Sequence, residues 1–185
     1  MLRIISGEHK GRIIKTPAGE NTRPTTDRVK ESLFNILQFR LHDSNVLDLF
    51  SGSGNLGFES LSRGARNVVF VEKNVAALKV LKDNCYSLGY TEKTRIIPYD
   101  VERAIKLLSK EMMVFDIIFM DPPYTQCLVE PTMVAVQKAG LLKDDGILVV
   151  EHSKCCDTPA LTNKLIRIDI RQYGKTAISF YQKLT

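Results

Sequence analysis

Val46-Leu47-Asp48-Leu49-Phe50-Ser51-Gly52-Ser53-Gly54-Asn55-Leu56-Gly57 runs from an apolar segment into a glycine-rich turn and on into a helical segment, 55–63. Glycines 52, 54 and 57 satisfy G-x-G-x-x-G, where glycine permits a tight turn and close backbone approach to a ligand, and a helix N-terminus offers unsatisfied N–H groups. Outward from this unit the pattern repeats. NVVFVE (67–72), TRIIP (94–98), VFDIIFMD (114–121) and GILVVEH (146–152) are further apolar runs, separated by helical segments at 74–88, 101–109 and 126–140. Val75, Leu78 and Leu81 or Lys82 fall on successive turns of the 74–88 helix, which predicts its inner side. Unbroken apolar strands alternating with helices predict a parallel sheet covered on both faces.

The two ends of the chain depart from that pattern. LIRIDIRQY (165–173), Gly174-Lys175 and TAISFYQKL (176–184) predict a terminal antiparallel hairpin. At the start, β-branched runs at 2–5 and 11–15 predict a small hairpin. A polar, turn-rich stretch follows, after which Thr25 or Thr26 can cap a helix with Asp27 in its first turn. Val29, Leu33, Ile36 and Leu37 form its apolar stripe, and Arg28, Lys30 and Glu31 are expected off that face. The expected architecture is α/β and doubly wound: a basic hairpin-and-helix extension, 1–40, precedes a main domain, 41–185.

The chain has 185 residues, 44% apolar and 25% charged, which argues against disorder, a fibre or a coiled coil. No apolar run approaches the ~20 residues of a membrane span, and no secretory signal is evident at the start, so a cytoplasmic protein is expected. Cys85, Cys127, Cys155 and Cys156 form no C-x-x-C pair, and His9, His42 and His152 stand far apart, so no metal site is expected. Of the net charge of +5, residues 1–30 carry +4, with seven basic residues against three acidic ones. A basic head on a near-neutral body suggests a polyanion partner.

Three acids stand at successive strand ends. Glu72 can accept both hydroxyls of an adenosine ribose. Asp48 would repel a pyrophosphate but suits an ammonium group, which favours S-adenosylmethionine over a dinucleotide. Asp100 is placed to accept from an adenine amine. After the fourth of these strands, Asp121-Pro122-Pro123-Tyr124 presents a carboxylate, bare backbone carbonyls and an aromatic ring at a rigid corner. Such a corner can hold the exocyclic amine of a nucleobase, with Tyr124 stacking on the ring for ~1–3 kcal/mol.

Asp-Pro-Pro-Tyr resembles the motif of amino-methyltransferases acting on adenine N6, cytosine N4 and guanine N2. RIISGEHKGRII at the head, P-x-G-x-x-T-R-P-T-x-D-R-V-K-E-S-L-F-N at 17–35 and LDLFSGSGNLGFESLSRGA at 47–65 make the chain similar to the RsmD family over nearly its whole length. That resemblance implies a class I methyltransferase fold, Rossmann-like, and methylation of guanine N2 in small-subunit ribosomal RNA. It implies that Asp48, Phe50, Ser51, Gly52, Gly54, Glu72, Lys73, Asp100 and Val101 bind S-adenosylmethionine, and that Asp121, Pro122, Pro123 and Tyr124 carry the chemistry. It casts Arg3, Lys10, Arg12, Arg23, Thr25 and Arg28 as RNA-binding positions, Arg23-Pro24-Thr25 equally as a lining of the active-site mouth. The implied partner is ribosomal RNA or a partly assembled small subunit, met by a monomer without metal. Rival readings are a DNA adenine-N6 methyltransferase, a non-catalytic RNA-binding assembly module and an NAD-dependent oxidoreductase.

Overall fold

The computed structural model describes residues 2–17, 27–123, 128–155, 158–162 and 164–184. The apolar runs form strands β3 (Asn45–Asp48), β4 (Asn67–Val71), β5 (Thr94–Ile97), β6 (Phe115–Met120) and β7 (Leu142–Ser153). The tail forms β8 (Leu165–Tyr173) and β9 (Thr176–Lys183), and the head pairs β1 (Leu2–Arg3) with β2 (Ile13–Ile14). Among the described residues the main sheet has seven strands in the order β5-β4-β3-β6-β7-β9-β8. Neighbours from β5 to β7 pair in parallel, and β9 pairs antiparallel with both β7 and β8. The strand order reverses at β3, the point at which open α/β sheets bind ligands beyond their carboxyl ends.

Helices α1 (Asp27–Leu41), α2 (Asn55–Ser62) and α3 (Val75–Ser87) cover one face, where Phe34, Phe58 and Leu81 pack with Val46, Phe70 and Phe119. Helices α4 (Val101–Lys110) and α5 (Val129–Lys138) cover the other, where Ile105, Leu108 and Met133 meet Leu47, Ile118 and Val150. Leu2, Ile4 and Ile14 of the head join the first of these cores, so hairpin, helices and sheet are packed together.

Two expectations about helix faces are corrected. Lys30 is buried, not off the inner face: α1 lies on the sheet with Asn55 and Glu59 of α2 and the head strand at its flank, so a wider arc of it is covered than one stripe. Its amine donates to the Arg3 carbonyl and to Asn55 Oδ1 at 2.9 Å, and pairs with the fully buried Glu59 at 3.2 Å. Glu59 also accepts from the backbone N–H groups of Ile5 and Ser6 and from Arg63, tying head, α1 and α2 together. Val75 is exposed, because Asn74 caps α3 and leaves its first turn projecting; Ala77, Leu81, Asn84 and Cys85 form the inner face.

Candidate active site

The glycine-rich turn is built by steric need. Gly54 caps α2 at φ +87°, and a Cβ there would lie 2.4 Å from the Phe58 ring. Gly57 lies so close to the sheet that a Cβ would meet the Phe70 ring at 2.2 Å. Side chains are excluded, and the turn seats α2 directly above the end of β3. Ser51 locks it from below, donating to the Asp48 carbonyl and accepting from the Val71 N–H at 3.0 Å. No side chain caps the start of α2 locally.

Asp48 closes β3 and is buried, its carboxylate accepting from the backbone N–H groups of Phe50 and Gly57. Burial still pushes its pKa up to about 7, those two donors pulling against it and Glu72 adding repulsion. Asp121 follows β6, beside Glu151 of β7, since Met120 and Val150 are paired neighbours. The residue keeps some solvent contact while its carboxyl is enclosed by protein, and burial, Glu151 and Asp48 together raise it well above the carboxylate range. Among the described residues neither Asp48 nor Asp121 forms an ion pair. Three acids thus converge at one strand edge in a low-dielectric setting, an arrangement that suits a cationic ligand.

Glu72 leaves β4 and accepts from the N–H groups of Gly52 at 2.8 Å and Asn74 at 2.7 Å, with Lys73 between them in sequence. Asp100 caps α4 through the Arg103 N–H at 2.8 Å, with Val101 as the first residue of that helix. Each carboxylate retains acceptor capacity beyond these bonds. Phe50 is half-buried against the second core. After Asp121, Pro122 is buried and Pro123 exposed. Tyr124 lies outside the described residues, as do Arg23 and Thr25. Among the described residues no group of three His, Cys, Asp or Glu side chains could hold a metal ion. Among them, too, no helix is long and apolar enough to cross a membrane.

The basic head splits between the two ends of the sheet. Helix α1 runs toward the start of β3, so its first turn lies at the carboxyl edge, with exposed Arg28 and with Arg3 paired to Asp27 at 2.7 Å. The hairpin tip instead lies at the far ends of α2 and α3. Glu8 N donates to the Ser62 carbonyl and Arg12 to the Ser87 carbonyl, and exposed Lys10 accompanies them. The structure therefore does not bring Lys10 and Arg12 next to Asp121. Glu151 went unnoticed as a site residue in the sequence, although a charged residue closing a buried apolar run was the same signal that marked Asp48 and Glu72.

The family model described as Conserved hypothetical protein 95 matches residues 2–182. Ribosomal RNA small subunit methyltransferase D of Escherichia coli K12 is 36% identical over 98% of this chain and 90% of its own. The protein of the same name from Haemophilus influenzae is 38% identical over 87% of this chain and 82% of its own. The solved structure of yhhF from Escherichia coli superposes with a TM-score of 0.86 at 33% identity, covering 98% of this chain and 97% of that one.

Proposed function

The chain belongs to the RsmD family, and from that premise we propose that it moves a methyl group from S-adenosylmethionine to the exocyclic N2 of a guanine in small-subunit ribosomal RNA, as a cytoplasmic monomer. One observation carries the reading: the enclosed Asp121 at the proline corner, which forms no ion pair among the described residues and is set beside Asp48 at the glycine-rich turn. The donor set fits a cationic adenosine cofactor. Asp48 suits the ammonium, Glu72 the ribose hydroxyls and Asp100 the adenine amine, with Phe50, Ser51, Gly52, Gly54, Lys73 and Val101 around them. The bound cofactor supplies an electrophilic methyl.

The chain's own residues prepare the nucleophile. A guanine N2 amine delocalises its lone pair into the ring and attacks poorly. Asp121 and the Pro122 carbonyl accept its two hydrogens, which draws the nitrogen toward tetrahedral geometry and frees the pair. Pro122 and Pro123 hold the corner rigid, so little freedom is lost on reaching the attacking pose. Tyr124 stacks on the extruded base. The donor's C–S bond breaks as the C–N bond forms, with S-adenosylhomocysteine as the leaving group, and the methylated nitrogen, then strongly acidic, gives its proton to solvent, so Asp121 works as an acceptor throughout. The test is mass spectrometry of nucleosides from small-subunit RNA incubated with the protein and methyl-labelled cofactor. Label in N2-methylguanosine is expected; label in N6-methyladenosine alone, or none, would refute the assignment.

A further inference from the structure

A groove of about 400 Å³ lies between α1 and β8, lined by Arg28, Glu31, Ser32, Asn35 and Ile36 on the helix and Arg171 on the strand. Its volume is within the range of ligand sites. Its position follows from the sheet register. Arg171 pairs with Ile178, and Ile178 with Glu151, which flanks Asp121. Directly opposed residues share a face, and Ile178 belongs to the core beneath α1, so Arg171 lies on the α1 side. It is three strand spacings from Asp121, about 14 Å. The head of the groove is the first turn of α1, also at the carboxyl edge, and Ser32 bonds the Tyr173 hydroxyl across it.

The lining sets two arginines against one carboxylate, Glu31, a balance that suits an anionic backbone. Among the described residues Arg28 forms no ion pair, and Arg171 pairs with the half-buried Asp169 alone at 2.9 Å, a solvent-accessible tie that a phosphate can displace. Asn35 offers hydrogen-bonding groups for sugars and phosphates, and the Ser32–Tyr173 hydroxyl pair keeps acceptor capacity. Resting on the reading of this chain as an RNA methyltransferase, we propose that this groove holds the sugar-phosphate backbone of single-stranded RNA flanking the target guanine, with Arg28 and Arg171 facing its phosphates. The basic surface that matters is thereby assembled from the first and last parts of the chain.

Binding of naked small-subunit RNA, followed by filter retention between 50 and 200 mM salt, tests it. Arg171→Gln is expected to lower the slope of log affinity against log salt by ~0.7–0.9, and Arg28→Gln with Arg171→Gln by about twice that. Arg66→Gln, an exposed charge removed at the opposite edge, is expected to leave the slope unchanged. Binding of S-adenosylmethionine should be unaltered in all three. Asn35→Asp, which puts a negative charge in the groove without touching the sheet, is expected to weaken RNA binding about tenfold. An unchanged slope in Arg171→Gln, an equal loss in Arg66→Gln, or wild-type RNA binding in Asn35→Asp would overturn the proposal. So would an effect confined to assembled particles, which would assign the groove to a ribosomal protein. Absence of methyl transfer by the wild-type protein would sink the enzymatic reading instead, whatever the slopes show.

Discussion

At the amino edge of the sheet, Asp43 meets Arg66, Asp116 meets Lys143 at 2.5 Å and Asp144 meets Lys183 at 2.9 Å, all in contact with solvent. At the carboxyl edge, Asp48 and Asp121 are enclosed, and among the described residues neither pairs with a cation. The pKa shifts follow suit. The Arg66 guanidinium holds Asp43 below the usual carboxylate value, whereas burial lifts Asp48 and Asp121 above it. One end of the sheet pairs its acids with cations of the chain; among the described residues the other does not. Glu59 shows that burial alone does not explain the difference, since it is fully buried and has both Lys30 and Arg63.

That comparison can be broken or sharpened by substitution. The largest effect is expected at the buried acid that has its cation. Lys30→Met takes one of its two cations from the buried Glu59, leaves the Arg3 carbonyl and Asn55 Oδ1 without their donor, and should cost about 3–5 kcal/mol in urea unfolding, with much of it recovered when Glu59→Gln is added. A loss near zero in the single variant would show that Glu59 does not depend on Lys30. At the acid proposed to hold the substrate amine, Asp121→Ala should lower single-turnover methylation about 1000-fold, near 4 kcal/mol, while calorimetry shows cofactor affinity within about twofold. Parallel loss of both would remove Asp121 from the chemistry.

Asp48 tests whether the carboxyl edge carries a folding cost. Its folded pKa of about 7 exceeds the ordinary 3.8, so the folded chain binds this proton more tightly than the unfolded one. Stability therefore falls as pH rises from about 4 through 7. Asp48→Asn should stabilise the ligand-free chain at pH 8 by an amount on the order of 3 kcal/mol, and leave it unchanged at pH 4. In the same variant the weakening of cofactor binding below pH 7 should disappear. No gain at pH 8 would mean that the edge stores no such cost. The smallest effect belongs to the amino edge: Asp43→Asn should leave the unfolding midpoint and methyl transfer unchanged, because exposed pairs contribute little. A clear loss there would erase the contrast between the two ends.

The strands were legible because continuous apolar runs such as VVFV and IIFM have no polar face to confuse with a helix or a loop. The acids closing those runs were legible for the same reason: a charge at the end of a buried segment stands out. Lys30 was not, because it sits beside the Val29–Leu33 stripe, and its burial depends on α2 and the head arriving from elsewhere. Glu151 carried the right signal but gained meaning only when β7 was placed beside β6. The charge of the head was plain in composition, but a sum over residues 1–30 does not say that Lys10 and Arg12 lie at one end of the sheet and Arg28 at the other.

By itself the sequence determined the alternation of strands and helices, the glycine turn and which acids and prolines close which strands. Those are local properties, decided by side-chain volume, backbone freedom and polarity within a few residues. Only the tertiary structure decided which acids meet a cation among the described residues, that Lys30 is spent on Glu59, and that Arg28 and Arg171 face one groove. Electrostatic pairing and desolvation depend on distance and surroundings in space, and helix α1 and strand β8 are brought together by the sheet order and not by their places along the chain.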